Sequence, residues 1–326
     1  MAASDLRILQ VGEQGDIVII GGSAAGVAAA SAIVEAEHRG TTVLITAEDR
    51  LPYKRTKVSK SFAKGFSRDG FAIQEPSWFE QAGIELKTGT TVTAIDLDGQ
   101  SVALADGSAR HWDELILATG ARPRQLTVEP AARDRVFFAH DIAQVEALRR
   151  RAASKEDALV IGLGVLGTEV AEQLVRMGKR VTMVGDTEQV MTEHLNEIAC
   201  RKLADVLAQQ GVRLLFGETV GQIASQGDRV CVDLQTARQQ LGCDMVVCCI
   251  GLEVRSELAR QAGLTTDHGI VVDDQLRTSH PQVLAAGDVA EHPGGRLTHL
   301  WRHAQHQGRV AGINAAGGAA TYEFVP

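Results

Sequence analysis

The sequence predicts an α/β fold, because a short apolar strand, a glycine-rich turn, a helix and a second strand follow one another twice. The first copy of this pattern opens with the aliphatic run at residues 16–20. Gly21–Gly26 comes next, followed by a helix of small residues to about His38 and a second strand at residues 41–46. A glycine turn between a buried strand and a helix is typical of a parallel βαβ unit.

The second copy starts at residues 158–161, more than a hundred residues further along the chain. Gly162–Gly167 follows this strand, with a helix to about Met177 and another strand at residues 180–184. Both copies therefore predict a Rossmann-like domain, a three-layer ββα sandwich in which a parallel sheet carries the glycine turn.

The similarity between the copies continues beyond the second strand, which indicates that one plan is used twice. The matching segments are Gly83–Leu86 with Gly211–Leu214, Gly89–Val92 with Gly217–Val220, and Leu115–Ala118 with Met245–Cys248. The last strand of the first copy is expected at Val283–Ala286, near the end of the chain. This order predicts that the second domain is inserted into the first.

Composition and charge limit the classes of function. The 326 residues are 44% hydrophobic, which is enough for about two domains, and the net charge of −8 argues against nucleic acid as a general partner. The uncharged stretch Ile17–Val34 is better explained by a strand, a turn and a helix than by a membrane span, and Met1–Gln10 has no secretory pattern. The five cysteines, an odd number, favour a reducing cytoplasm over a disulfide framework.

The second glycine turn has the complete pattern of a dinucleotide site. Gly162 permits the tight turn, Gly164 leaves room for a pyrophosphate, and Gly167 allows the helix to pack closely on the strand. The phosphates would lie at the helix N-terminus, where unpaired N–H groups point outward. Asp186, 19 residues after Gly167, is placed to accept the ribose hydroxyls. The alternative is a purely structural glycine turn.

The first glycine turn has Ser23 in place of the middle glycine, which is compatible with a phosphate site if the side chain points away. Glu48, 22 residues after Gly26, is the candidate ribose acid. A third motif, Leu284–Ala290, ends a strand with Gly287-Asp288 and can bring an acceptor oxygen close to a ligand hydroxyl. An ordinary strand-to-helix turn is the alternative for this third motif.

These motifs, together with Leu51–Arg55, Val58–Lys60 and Ala118–Pro123, resemble the superfamily of FAD-dependent pyridine nucleotide-disulfide oxidoreductases. The similarity runs from about Asp16 to Gly308 and points to the branch of ferredoxin and rubredoxin reductases. The resemblance implies an FAD-binding domain at residues 16–122 and 256–326, an NAD(P)H-binding domain at residues 123–255, and an N-terminal extension at residues 1–15.

The resemblance also implies roles for individual residues. Arg55 would lie beside the FAD phosphates, Lys60 near flavin N5 and close to Glu169 on the nicotinamide side, and Asp288 at the ribityl chain. Lys60, Glu169 and Trp301, which would approach the flavin, are the candidate catalytic residues; for Lys60 and Glu169 the alternative is a pair of surface charges. The residues expected to contact FAD are Gly21, Ser23, Ala24, Ala25, Gly26, Glu48, Arg55, Lys60, Val92, Ala118, Thr119, Gly120, Gly287 and Asp288. Those expected to contact the nicotinamide dinucleotide are Gly162, Gly164, Val165, Leu166, Gly167, Glu169, Asp186 and Gly251.

The positions of the cysteines bear on the route of the electrons. Disulfide reductases of this superfamily carry a cysteine pair after the first glycine helix, and the peroxidase branch carries one cysteine, but here the first is Cys200. Electrons are therefore expected to leave the reduced flavin directly for an external acceptor. Cys243 and Cys248 have CxxxxC spacing, but they are expected to share one strand and face opposite ways, and Cys248-Cys249 to fill the core.

Three histidines, His299, His303 and His306, would share one face if they lay on a single helix. Three histidines on one face could bind a metal ion, but no acidic ligand is near. The histidines are therefore expected to line the flavin edge or to face solvent. No metal site is predicted.

Several departures from the superfamily pattern affect the details. Asp186 in Val184–Asp186, without an arginine before Val190, favours NADH over NADPH. Thr56-Lys57 replaces Pro-Pro, and Arg302-His303 replaces polar or acidic residues after Trp301. The sequence ends at Pro326, where relatives continue into a third domain, so an open flavin, a partner subunit that completes the site, or a truncated chain are the alternatives.

The leading hypothesis is a cytoplasmic NADH:acceptor oxidoreductase. Hydride would pass from NADH, or less favourably NADPH, to FAD, and electrons would then pass to a small iron–sulfur or iron protein such as a ferredoxin or rubredoxin. One alternative is an NADH oxidase or quinone reductase that uses a small acceptor. The other is a non-catalytic nucleotide-binding regulatory or assembly subunit, since function does not follow from fold alone.

Overall fold

The computed structural model describes residues 15–66 and 71–324, so that the predicted N-terminal extension lies outside the described residues except for Gly15. The chain divides into two compact units. Unit 1 comprises the described residues up to Lys54, Ala72–Ala121, and those from Val254 onward. Unit 2 comprises the described residues of Arg55–Phe71 together with Arg122–Glu253.

The elements follow one another as two βαβ patterns with antiparallel additions. The first third of the chain forms β1 (Ile17–Ile20), α1 (Ala24–Glu35), β2 (Thr42–Ile45), a 3-10 turn (Arg55–Lys57), α2 (Val58–Ser61), α3 (Pro76–Gln81), β3 (Ile84–Lys87), β4 (Val92–Asp96), β5 (Ser101–Leu104), β6 (Ala109–His111), β7 (Glu114–Leu117) and β8 (Ala121–Pro123). The middle forms a 3-10 segment (Pro130–Arg135), β9 (Val136–Phe137), α4 (Ile142–Ala152), β10 (Asp157–Ile161), α5 (Val165–Arg176), β11 (Arg180–Val184), α6 (Glu197–Gln209) and β12 (Arg213–Leu215). The remainder forms β13 (Val220–Gln226), β14 (Arg229–Leu234), β15 (Gln239–Cys243), β16 (Met245–Cys248), β17 (Leu252–Val254), α7 (Glu257–Gln261), β18 (Ile270–Val271), β19 (Val283–Ala285), β20 (Ala290–Glu291) and α8 (Trp301–Ala315).

Unit 1 is built on a parallel sheet with the strand order β19-β7-β1-β2-β3. All four residues of β1 are buried because layers cover both faces of this sheet, as is usual for parallel sheets. Helices α1 and α8 pack together, and the antiparallel sheet β4-β5-β6 shares a continuous hydrophobic core with the parallel sheet. The helices, the parallel sheet and the antiparallel sheet are the three layers expected from the sequence. The C-terminal strand β19 pairs in parallel with β7, which confirms the predicted return of the chain.

Unit 2 repeats this plan. Its parallel sheet has the order β12-β11-β10-β16-β9, and an antiparallel sheet β13-β14-β15 adds a second layer. The aliphatic strands β10 and β16 are paired in parallel, and their side chains form the core with residues of β13 and β14. The α/β class, the two Rossmann-like domains and the insertion of the second copy into the first are therefore confirmed.

One domain boundary differs from the sequence prediction. The prediction placed all of residues 16–122 in the first domain, whereas the described residues of Arg55–Phe71 group with unit 2. The reason is that α2 packs on α5, where Ser59 and the backbone of Ala63 make hydrogen bonds. Sequence neighbours do not reveal such a contact, because the two helices are about a hundred residues apart in the chain.

The uncharged stretch Ile17–Val34 is divided between β1, the glycine turn and α1, as predicted. In residues 15–66 and 71–324, no helix combines the length and the apolar character needed to span a bilayer.

Close packing of α1 on α8 depends on two glycines of α8. A Cβ atom on Gly308 would lie 2.1 Å from the carbonyl oxygen of Ala25, and one on Gly312 would lie 2.3 Å from that of Ala29. Because both obstacles are backbone atoms, a side chain at either position would push the helices apart.

We therefore expect Gly308→Ala to lower the free energy of unfolding by at least about 2 kcal/mol, since overpacking displaces a whole helix. Urea unfolding measures this change. Gly242→Ala is the matched control, because a Cβ there has no heavy atom within 4 Å, and we expect an effect below about 1 kcal/mol. Equal effects of the two substitutions would contradict the packing argument.

Candidate functional site

The first glycine turn of unit 1 is shaped by backbone contacts that exclude side chains. Gly21 has a φ of +120°, and a Cβ on it would lie 2.0 Å from the carbonyl oxygen of Ala118. A Cβ on Gly26 would lie 1.8 Å from the carbonyl oxygen of Gly21. The turn therefore brings the N-terminus of α1 directly behind the end of β1, where its N–H groups can bind an anion.

Ser23 takes the N-cap position of α1 in an extended conformation, and its side chain makes no capping hydrogen bond to the helix. Ala24 and Ala25 form the first helical residues and are buried. Small residues here allow a pyrophosphate to approach the helix end. This geometry fits the predicted dinucleotide site.

The carboxyl ends of β1, β7 and β19 meet at one edge of the sheet in unit 1. They place Gly21, Ala118 and Gly287 there, which is the edge where ligands bind in open α/β sheets. Gly120 has a φ of +67° and open space where a Cβ would be, and the Thr119 hydroxyl donates to the carbonyl of Arg255 over 2.8 Å. The structure thus brings together three separate sequence motifs.

Glu48 follows β2, and its Oε2 accepts a 2.7 Å hydrogen bond from the hydroxyl of Tyr53. This bond orients the carboxylate predicted to bind the ribose. Val92 begins β4 with 7% of its surface exposed and packs in the core of unit 1. Its predicted contact with FAD stays a prediction.

The Gly-Asp motif has a supporting residue that sequence reasoning missed. The backbone N–H of Gly287 donates to Oε1 of the fully buried Gln307 over 2.7 Å, and Gly287 itself has a φ of +83°. The Gln307 amide in turn donates to Nε2 of His292 over 2.8 Å. Burial lowers the pKa of His292, in keeping with a neutral ring that accepts this bond. These hydrogen bonds hold the turn in place, and half-buried Asp288 lies on that turn.

The C-terminal helix corrects the prediction for the three histidines. Helix α8 begins at Trp301, so His299 lies before it, with a φ of +46°, and cannot share a helical face with the others. Nδ1 of His303 and the hydroxyl of Tyr322 share a 2.5 Å hydrogen bond, and the His306 ring also contacts Tyr322. Trp301 is partly buried against the core of unit 1. Among the described residues, the side chains close enough to share a metal ion are Asp267, His268 and Glu291 instead.

The second glycine turn, in unit 2, has the same construction as the first. Gly162 has a φ of +117°, and a Cβ on it would lie 2.2 Å from the carbonyl oxygen of Cys249. A Cβ on Gly167 would lie 2.1 Å from the carbonyl oxygen of Gly162, whereas Gly164, the N-cap of α5, has open space at that position. Open space at the helix N-terminus, in front of Val165 and Leu166, fits a pyrophosphate.

Two further positions complete the nucleotide features of unit 2. Asp186 is exposed just beyond the end of β11, the strand next to β10, where a ribose acid is expected. Gly251 is exposed with a φ of +96°, and its carbonyl accepts the N–H of Arg124 over 3.1 Å. Both cofactor sites predicted from the sequence therefore have residues that fit a dinucleotide.

The contact expected between Lys60 and Glu169 is formed in unit 2. Nζ of Lys60 lies 3.5 Å from Oε1 of Glu169, and the Ser59 hydroxyl donates to Oε2 of the same carboxylate over 2.5 Å. Arg55 donates to the carbonyl of His140 over 3.3 Å. Ser59 beside them is buried, and the catalytic role of the pair stays a prediction.

All five cysteines are free thiols, and one detail of their prediction is wrong. Cys243 ends β15 and Cys248 ends β16, so the two do not share a strand. Asp244 separates these strands, and its carboxylate accepts the backbone N–H groups of residues 156 and 157. Burial raises the pKa of Cys243 and that of Cys248 to about 12.

Comparisons with known proteins identify the family of this chain. The family model described as pyridine nucleotide-disulphide oxidoreductase matches residues 15–308. The ferredoxin–NAD(+) reductase subunit of the benzene 1,2-dioxygenase system of Pseudomonas putida is 31% identical, with 89% of this chain and 72% of that protein covered. Rhodocoxin reductase of Rhodococcus erythropolis is 33% identical, with 95% and 74% covered. The crystal structure of the ferredoxin reductase for the CYP199A2 system of Rhodopseudomonas palustris has a TM-score of 0.90 and 32% identity, with 95% and 78% covered.

We expect Gly164→Ala to weaken NADH binding by roughly ten-fold, or about 1.4 kcal/mol, because the methyl group would enter the space for the pyrophosphate. The melting temperature should stay within about 2 °C of the wild-type value, since the change in stability is small. Isothermal titration and thermal melts measure the two quantities. Gly167→Ala should behave differently and destabilise the protein, because its Cβ meets backbone. A stable Gly164→Ala protein with unchanged NADH affinity would contradict the site.

The high pKa values of Cys243 and Cys248 predict that both thiols are unreactive in the folded protein. Iodoacetamide attacks the thiolate, and at pH 8 a thiol with a pKa of about 12 is almost entirely protonated. Peptide mass spectrometry should find these two cysteines unmodified after native labelling and modified after labelling in guanidinium. Rapid native labelling of both would contradict their burial.

Proposed function

Because the chain belongs to the pyridine nucleotide-disulphide oxidoreductase family, we propose that it is an FAD-dependent NADH:acceptor oxidoreductase that delivers electrons to a small iron–sulfur protein. The main support for this proposal is the pair of glycine turns, one in each unit, together with the Lys60–Glu169 ion pair. A bound flavin supplies the redox chemistry, since it accepts hydride from a nicotinamide and releases electrons one at a time.

The residues of the protein bind and orient the two nucleotides. The N-terminal N–H groups of α1 and α5 hold the two pyrophosphates, and Glu48 and Asp186 accept hydrogen bonds from ribose hydroxyls. A carboxylate at Asp186 repels a 2′-phosphate, so NADH is the preferred donor over NADPH. Asp288, on the turn fixed by Gln307, accepts a hydrogen bond from the ribityl chain.

Lys60 and Glu169 act on the nicotinamide side of the reaction. Glu169 lies near the start of α5, directly after the second glycine turn, which would bind the nicotinamide dinucleotide. Nζ of Lys60 lies 3.5 Å from Oε1 of Glu169. The pair would orient the nicotinamide and balance charge during hydride transfer, and so would lower the barrier by position and electrostatics. Trp301, at the start of α8, would pack beside a bound flavin.

The kind of electron acceptor is inferred from the positions of the cysteines and from the names of the similar proteins. With no cysteine before Cys200, the chain has no thiol relay after its first glycine helix, and electrons leave for an external acceptor. The similar proteins are named as reductases of ferredoxins and of rhodocoxin, which supports a small iron–sulfur protein as the partner. The five free thiols support a reducing, cytoplasmic setting.

The primary test is an anaerobic titration of the purified FAD-loaded protein. NADH should bleach the flavin absorbance fully, NADPH should do so at least ten-fold less effectively, and a ferredoxin should restore the colour. Rapid turnover in air without a ferredoxin would favour an oxidase instead. A protein that takes up FAD but stays oxidised with both donors would contradict the proposal.

We expect Lys60→Met to slow flavin reduction by NADH by roughly 10- to 100-fold, because the variant lacks the positive charge that would balance charge during hydride transfer. Stopped-flow absorbance under argon measures the limiting rate. Lys64→Met, which removes an exposed lysine from the same segment, is the matched control and should react at the wild-type rate. Equal rates for both variants would remove Lys60 from the mechanism.

A further inference from the structure

The carboxylate of Glu169 has two partners of different character. Lys60 is exposed over 58% of its side chain, whereas Ser59 is only 5% exposed and donates the shorter bond, 2.5 Å, to Oε2. An exposed lysine fixes a carboxylate poorly, because two long side chains must give up rotamer freedom for a solvent-screened contact. A buried hydroxyl on a short side chain is a better anchor, and its bond to a charged acceptor is strong.

A second contact holds the serine in place. The backbone N–H of Ala63 donates to Oε1 of Gln173 over 3.2 Å, and Gln173 is only 2% exposed. Residues 169 and 173 are one turn apart on α5, so both bonds reach the same face of that helix. The backbone from Ser59 to Ala63 is thereby placed along α5 by contacts at both of its ends.

We propose that Ser59 is a positioning residue for hydride transfer: its hydroxyl fixes Oε2 of Glu169, so that Oε1 is held toward Lys60 and the nicotinamide site. This inference rests on the proposed function. It assigns to the buried serine, and not to the exposed lysine, the task of setting the direction of the carboxylate. Lys60 then provides charge to a carboxylate that is already oriented.

The test compares Ser59→Ala with two variants of the FAD-loaded protein. Ser61→Ala makes the same change two residues away on α2, and Ser59→Thr keeps the hydroxyl. We expect Ser59→Ala to lower the limiting rate of flavin reduction by roughly 10- to 100-fold, as is typical for losing a hydrogen bond to a charged group. Flavin content should be unchanged, and the melting temperature should fall by only a few degrees, since one buried hydrogen bond is lost. Ser61→Ala should match the wild type, and Ser59→Thr should recover most of the rate.

A double-mutant cycle decides whether Ser59 acts through Glu169. Glu169→Gln removes the charged acceptor, so adding Ser59→Ala to it should slow the limiting rate by less than about three-fold if the two residues act as one unit. Multiplicative effects of the two substitutions would overturn the proposal, as would a Ser59→Ala protein that reacts at the wild-type rate. A loss confined to NADH affinity, with an unchanged limiting rate, would also overturn it.

The failure of this proposal is distinguishable from that of the proposed function. If NADH does not reduce the wild-type flavin, the oxidoreductase function fails and the positioning role with it. If NADH reduces the wild type and Ser59→Ala equally fast, the function stands and the role of Ser59 alone is rejected.

Discussion

Direct backbone-to-backbone contact inside the two glycine turns is the constraint on which the rest of this structure depends. In each turn the carbonyl oxygen of the first glycine occupies the place where the last glycine would carry a Cβ, at 1.8 Å in unit 1 and 2.1 Å in unit 2. The helix can therefore start immediately behind its strand. That placement directs the N–H groups of the helix N-terminus toward the edge of the sheet where a pyrophosphate binds.

The other nucleotide features follow from the parallel sheets that the turns begin. Parallel strands end at a common edge, so residues from distant parts of the chain meet there. In unit 1 this edge collects Gly21, Ala118 and Gly287 from three strands, and in unit 2 it places Asp186 beside the turn that starts at Gly162. Each unit thereby supplies hydrogen-bond donors for a pyrophosphate and an acceptor for ribose hydroxyls from one simple topology. The proposed catalytic side chains lie on the adjoining helices.

The features that could be predicted from the sequence are the local ones. A strand, a glycine turn and a helix are encoded within about 30 neighbouring residues, so β1, α1, β10 and α5 were predicted to within a few residues. The return of β19 to the first sheet was also predictable, because the interrupted first copy lacked a final strand. The Lys60–Glu169 pair was reached only through the resemblance to a family.

The features that could not be predicted depend on contacts between distant residues. Nothing near Gln307 in sequence indicates that its amide supports Gly287, and nothing near Ser59 indicates a bond to α5. The error on Cys243 and Cys248 arose because Asp244 divides one apolar run into two strands. His299 was misplaced because the backbone at Leu300 is extended and delays the start of α8.

The grouping of α2 with unit 2 bears on how such proteins can be recombined. A chimera that exchanges only the contiguous stretch Arg122–Glu253 with the corresponding part of a relative would bring in a foreign α5 and retain the native α2. The hydroxyl of buried Ser59 and the N–H of partly buried Ala63 would then face foreign side chains, and both polar groups would lose their present partners. The natural module for exchange is therefore discontinuous, and it consists of the stretch around α2 together with the inserted unit.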